Sequence, residues 1–232
     1  MGNENLTVGD LAGVVYSSGK VFDGLSTGRL DTENFLRSGN LDGVTSRHDL
    51  NLLEDLRDAA QYVIDNLGAR VDVDFVRGLN ATLTRSGSIE PGRFRRADAG
   101  IGVDTVYGRH EPPAQTHATL QAVIDAALGR AGVREQAIAL FVTLAKAQPF
   151  GDGNKRTALF SANAVLLGSG ERMVLTIPVD ATDPDVARSS ATASLAPTST
   201  ARTSRLRQCC ASRESRRSDA ERATDWRPPP IP

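Results

Sequence analysis

Ala147-Gln148-Pro149-Phe150-Gly151-Asp152-Gly153-Asn154-Lys155-Arg156-Thr157 sits between two apolar segments of helical period, and its reading decides the fold. A loop so placed delivers several backbone N–H groups at a helix N-terminus, where the helix dipole also favours negative charge. Gly151 and Gly153 permit positive φ values that let successive amides converge on one anion, and Lys155 and Arg156 add cationic donors. Asp152 brings the opposite charge to the same place. A carboxylate beside a phosphate-sized anion site makes physical sense when a divalent metal, most often Mg²⁺, bridges the two. The loop reads as a nucleotide polyphosphate site, although the G-x-x-x-x-G-K-S/T spacing of a Walker A loop is absent. Taken alone it also fits an ordinary helical turn in which Asp152 caps, the glycines turn and the cations are solvated.

Working outward, residues 133–147 are apolar nearly all round through Ile138, Leu140, Phe141, Val142 and Leu144, which predicts a central buried helix before the loop. After it, residues 155–167 carry Leu159, Ala162, Val165 and Leu166 on one face. The clearest helix is 49–67, where Leu50, Leu53, Leu56, Ala60, Val63, Ile64 and Leu67 recur at three-and-four spacing. Ser46 caps its start and Gly68 follows its end. A further amphipathic segment follows Asp72 with Val73, Val76, Leu79 and Leu83. Another follows Pro112 and Pro113 and uses Leu120, Val123, Ile124, Ala127 and Leu128 before Gly129. Residues 88–94 and 101–107 flank the polar, Gly-containing 95–100, a hairpin pattern. Before Ser46, a Gly-rich stretch with Leu6, Leu11, Val14, Val15, Phe22, Leu30 and Phe35 reads as one or two short helices. The expected class is mainly α with one small β element.

Composition sets the boundaries. A chain of 232 residues with 40% hydrophobic content is long enough for one well-buried core. A net charge of -1 gives no electrostatic reason to expect nucleic acid or an anionic membrane, so a small ligand or a protein partner is the default. No apolar run reaches the length of a membrane span and MGNENLTVGD lacks a leader pattern, so a cytoplasmic protein is expected. The two cysteines, Cys209 and Cys210, are adjacent and near the C-terminus, which leaves no disulfide framework or Cys-based metal site. After about Asp180, Ala, Ser, Thr, Pro and Arg dominate, and residues 181–232 read as a disordered tail. The abrupt change also permits an altered reading frame. The expected organisation is an N-terminal helical segment 1–44, a core 45–180 and the tail.

Gln148 to Arg156, Q-P-F-G-D-G-N-K-R, resembles the Fic/Doc family signature H-P-F-x-D/E-G-N-G/K-R at every specified position except the first. The resemblance covers about 30–180, and residues 92–107 resemble the family's flap hairpin. It implies a Fic-type helical bundle with a small β-hairpin flap. It also implies that Asp152 holds Mg²⁺, that Gly151, Gly153, Asn154 and Lys155 cradle the phosphates of ATP, and that Arg156 binds the distal ones. Ile101, Gly102, Val103 and Asp104 of the flap would pair with an extended target segment as an added strand. Family members usually transfer AMP from ATP to a Ser, Thr or Tyr hydroxyl of a protein. Some Doc-type members transfer phosphate instead, and toxin–antitoxin pairing or self-inhibition is part of the family pattern.

The match breaks at the base. The family histidine accepts the proton of the attacking hydroxyl, whereas Gln148 can orient that hydroxyl but cannot take its proton. Much reduced activity is expected, or a pseudoenzyme that binds nucleotide or a partner without transfer. A truncated chain without stable function is the third alternative. Among His48, His110 and His117, only His110 follows the flap closely enough to be considered as a substitute. Leu159 stands where many AMP-transferring relatives carry a second arginine, and the motif is a hybrid of the two types. Ser38-Gly39-Asn40-Leu41-Asp42-Gly43 resembles the autoinhibitory S/T-x-x-x-E-G/N segment with Asp for Glu, which makes Ser38, Asp42 and Gly43 candidate inhibitory residues.

Overall fold

The computed structural model describes residues 6–87, 90–99, 101–105, 108–179 and 194–197. A 3-10 turn, Val8–Leu11, leads into α1 (Ala12–Phe22) and α2 (Arg29–Ser38), so the N-terminal stretch supplies two helices and a turn. Then follow α3 (Arg47–Asp65), α4 (Val73–Ala81), α5 (His117–Leu128), α6 (Val133–Ala147) and α7 (Asn154–Gly168). The strands are β1 (Val103–Thr105), β2 (Gly108–His110), β3 (Met173–Thr176) and β4 (Ser194–Pro197), paired antiparallel as β1-β2 and β3-β4. Among the described residues the fold is a helical bundle with little strand, as the sequence pattern requires. Apart from β4, the expected tail 181–232 lies outside the described residues. No helix among the described residues is long and apolar enough to cross a membrane.

Side-chain caps set the helix starts. Ser46 Oγ accepts from the Asp49 amide at 2.9 Å, Asp72 Oδ1 from the Phe75 amide at 3.0 Å, and Thr116 Oγ1 from the Thr119 amide at 3.2 Å. Each satisfies one of the first-turn donors that have no partner inside the helix. Gly39, at φ 72, ends α2 in the left-handed conformation that glycine adopts without a Cβ penalty.

The centre of the bundle differs from the sequence expectation. Helix α6 buries only one stripe, Ala137, Leu140, Phe141 and Leu144, while Ile138 is 37% exposed. The helix enclosed nearly all round is α7, which packs against α1, α3, α4, α6 and β3. Its buried positions include Leu159, Phe160, Ala162 and Leu166, and the polar Thr157, Ser161 and Asn163. The small Ala and Ser positions of α7 let neighbours close in from several sides. Asn163 is tolerated there because its amide donates to the Leu159 and Leu175 carbonyls and its oxygen accepts from the Leu175 amide, tying β3 to α7.

The hairpin is also displaced. Val103 pairs with His110 and Thr105 with Gly108, whereas Phe94 forms an isolated bridge with Phe150. Arg95 explains the difference: expected at a solvated turn, it is buried and donates to the carbonyls of Ala99 (3.0 Å), Pro112 (2.8 Å) and Gln148 (3.4 Å). Its amide also donates to the Pro149 carbonyl at 2.8 Å. Residues 94–95 are therefore sewn to the loop before α7 instead of to residues 101–107.

Asp49 shows how polar groups hold the N-terminal helices. Burial works to raise its carboxyl, but donation from the hydroxyls and amides of Ser26 and Thr27 holds it down at about 2, against 3.8 for a free side chain. A depressed folded-state value means that this stability is complete above the unfolded value and is lost as pH falls from 3.8 toward 2. We expect Asp49→Asn to cost about 2 kcal/mol in urea unfolding at pH 7, with the difference from wild type shrinking at pH 2 to 3.

Candidate functional site

Helix α6 ends at Gln148, whose φ of 44 makes it the non-glycine residue with positive φ among those described. The left-handed conformation costs about 1–2 kcal/mol outside glycine, so its surroundings hold it there. Pro149 prevents the helix from continuing, Arg95 donates to the Gln148 carbonyl, and the Gln148 side-chain amide donates to the Ala145 carbonyl at 2.6 Å. The chain turns through Phe150, which is 1% exposed and stacks on Phe94 with ring centroids 6.0 Å apart. It enters α7 at Asn154.

Two glycines were expected to bend this loop, but one does so. Gly153 has φ 72, and a Cβ there would lie 2.5 Å from Leu83 Cδ1. Gly151 is absent from the positive-φ residues, and a Cβ there would meet nothing within 4 Å. Asn154 was expected to touch phosphate. Its side chain instead clamps the loop, accepting from the Phe150 amide and donating to the Phe150 carbonyl, both at 2.9 Å. Only its backbone amide, on the first turn of α7, remains suited to an anion.

The residues that meet at this turn enclose a cleft of about 350 Å³ lined by Phe22, Asp23, Ile101, Gln148 and residues 151–156. Of the four flap residues singled out, Ile101 lines it; Gly102 precedes β1, and Val103 and Asp104 lie in β1 opposite His110 and Arg109. Lys155 stands at the rim with its ammonium 5.7 Å from the centre of the Phe22 ring. Arg156 is only 3% exposed, and Nη2 donates to Asp152 Oδ2 at 3.2 Å while Nη1 donates to Ser86 Oγ. Its Nε lies 3.5 Å from Asp23 Oδ2.

Besides Asp152, Asp23 faces Arg156, whereas Asp42, the candidate inhibitory acid of the sequence, does not reach the cleft. Ser38 at the end of α2 and Asp42 and Gly43 on the turn after it are exposed, with the Asp42 amide bonded to Asn40, and none of them lines the cleft. Asp23 follows directly on the end of α1, beside the cleft-lining Phe22. Burial pushes the Asp23 carboxyl above its usual value, and Arg156 opposes that only in part. His110 is not aimed at the cleft: its Nε2 meets the Lys146 carbonyl at 3.0 Å. Leu159 is fully buried in the core.

Several site residues escaped the sequence reading because they are polar positions inside apolar stripes. Asn80, fully buried on the Val76–Leu79–Leu83 face of α4, donates to the Asp152 carbonyl (3.1 Å) and Thr157 Oγ1 (3.0 Å) and accepts from the Gly92 amide. Asp55, fully buried on α3, accepts from the amides of Thr84, Arg85 and Ser86. A polar residue on the inner face of an amphipathic helix is the signal that would have found both.

Residues 70–166 match the Fic/DOC family. Similarity to solved Fic-domain structures extends further along the chain. A Fic-1 fragment from C. elegans aligns with a TM-score of 0.55 and 19% identity, over 76% of this chain and 56% of that one. A Fic-domain-containing signaling protein from Bacteroides thetaiotaomicron aligns with a TM-score of 0.55 and 19% identity, over 72% and 65%. A variant of the C. elegans fragment gives 0.51 and 21%, over 68% and 48%. At these identities the likeness shows the fold, and the chain spans about half to two thirds of each structure. No curated protein matches the chain. The Fic/DOC match contains α4, the hairpin, α5, α6, the loop and nearly all of α7, so the cleft lies within it apart from Phe22 and Asp23.

Two outcomes follow for stability. Gly153→Ala should cost about 2 kcal/mol or more in urea unfolding, because a Cβ is both strained and crowded, while Gly151→Ala should change it by less than about 0.5 kcal/mol. The raised Asp23 carboxyl makes the native state bind a proton that the unfolded chain releases, so stability falls as pH rises through the folded value. Unfolding midpoints measured between pH 4 and 7 should lose that component of the slope in Asp23→Asn.

Proposed function

We propose that the cleft at the α7 N-terminus binds Mg-ATP, and that the chain is a Fic-type protein modifier whose chemistry, AMP transfer to a target hydroxyl, is held far below that of an intact site by Gln148. The observation that carries this reading is the convergence on one cleft of first-turn α7 amides, Arg156 and Asp152, inside the Fic/DOC match. Unpaired amides and a guanidinium suit phosphate oxygens. Among the described residues no group of three or more His, Cys, Asp or Glu forms a metal cage. A divalent cation would thus rest on Asp152 and on the phosphates themselves, which is how Mg²⁺ is commonly held. It would supply charge neutralisation between the phosphates.

In AMP transfer the target oxygen bonds to the α-phosphorus, the bond to pyrophosphate breaks, and the hydroxyl proton must leave. Position 148 offers a carboxamide for that proton, and the carboxamide nitrogen is spent on the Ala145 carbonyl. The expected target is a protein segment laid along the β1-β2 hairpin as an added strand, with its Ser, Thr or Tyr near Ile101. The place of action is the cytoplasm, where ATP is abundant. Self-inhibition, where it operates, would run through Asp23, since that carboxylate sits where an anionic ligand needs Arg156 free.

The Gln148 contact also favours a second reading, a nucleotide-binding module without transfer. Transfer of the γ-phosphate, as in Doc-type proteins, is the third. Calorimetry with Mg-ATP tests the shared element: wild type should bind, and the Asp152→Ala, Arg156→Ala double variant should not. Equal heats from both would remove the nucleotide reading. Gln148→His should raise transfer by about 10²-fold or more, the usual worth of a positioned base, with affinity little changed. ATP labelled at the α or γ position then names the group transferred. A revertant that binds normally but labels no protein would favour the binding module.

A further inference from the structure

We propose that Asp55 and Ser86 are positioning residues for Arg156, a role that rests on the anion-binding reading of the cleft. Asp55 is fully buried on α3, and a carboxylate so placed must be completely hydrogen-bonded. It is: Oδ1 accepts from the amides of Thr84 and Arg85 at 3.1 Å and from Arg85 Nη1 at 3.2 Å. Oδ2 accepts from the amides of Arg85 at 3.0 Å and Ser86 at 2.7 Å. Three consecutive amides wrapped on one carboxylate fix the backbone of the segment after α4.

The fifth donor is the Ser86 hydroxyl, whose Oγ lies 2.6 Å from Asp55 Oδ2. A serine has one hydrogen to give. Because Asp55 takes it, the oxygen can present only lone pairs to its other neighbour, Arg156 Nη1. Asp55 thereby sets the polarity of the hydroxyl and makes it an acceptor for the guanidinium.

The other two partners of Arg156, Asp152 and Asp23, are carboxylates lining the cleft. An anionic ligand repels both, and a cation recruited to Asp152 competes with Arg156 for it. Ser86 is neutral, does not line the cleft, and keeps its place through its bond to α3. It is the arm of Arg156 that survives ligand binding, and it holds the guanidinium aimed at the α7 N-terminus at no cost in charge.

The test uses the full chain and two readouts. In the ligand-free protein labelled with ¹⁵N, Arg156 Nη1 and Nη2 should give separate resonances because rotation about Nε–Cζ is hindered; Arg156→Lys assigns them by their loss. In an Asp152→Ala background, where Nη2 has lost its carboxylate, Ser86→Ala should merge them and Ser86→Thr, which keeps the hydroxyl, should not. Unchanged separation in Ser86→Ala in that background would overturn the proposal. With Mg-ATP, Ser86→Ala should weaken binding about 10-fold in the wild-type background and less than about 2-fold beside Arg156→Ala. Equal losses in both backgrounds would show a purely structural turn and also overturn it. Asp55→Asn should reproduce both effects where thermal unfolding shows it folded. A wild type that binds no nucleotide would sink the anion-site reading, while the resonance pattern would still decide whether Ser86 holds Arg156.

Discussion

The enclosure of α7 on nearly every side is the constraint on which the cleft depends. First-turn amides bind an anion only if they stay where the fold puts them, and a helix lying on the surface could tilt or fray at that end. Here Ala158, Leu159, Ala162 and Leu166 are locked among α1, α3, α4 and α6, so the N-terminus at Asn154 is fixed by packing away from the cleft.

Beneath the loop lies a set of buried polar groups, and each has its hydrogen bonds met by backbone from a different element. Asn154 closes the loop on Phe150, Asn80 ties it to α4 and to residue 92, and Arg95 ties it to the segment leading into the hairpin. Such groups are costly to bury and stabilise only one arrangement of their partners. They make the loop a single rigid piece with the flap base, which is why Gln148 can be held in a left-handed conformation.

In the proposed reaction, Gln148 and Asp23 bear on different requirements. A carboxamide at 148 leaves backbone amides, Asp152 and Arg156 as they are, so it bears on the proton and not on phosphate recognition. Asp23 bears on recognition, because its carboxylate competes for the guanidinium that a phosphate would use.

Residues 147–157 located the turn, the start of α7 and the resemblance to the Fic/DOC family whose match covers 70–166, and apolar periodicity placed α3 through α7 to within a few residues. Those signals are local: caps, turns and three-and-four spacing act between neighbours in the chain. Tertiary structure alone decided the rest. Which helix is central depends on how many faces meet partners, and α6 and α7 are both apolar enough to qualify. The hairpin register followed Arg95, whose burial depends on carbonyls at 99, 112 and 148 that no periodicity brings together. Asp23, and not the candidate inhibitory Asp42, joins Asp152 at the cleft because the path of the chain after α1, and not a motif spacing, sets which carboxylate lies there. Ser86 meets Arg156 across 70 residues of chain and Asp55 across 31, contacts that only the packing of α3, α4 and α7 creates.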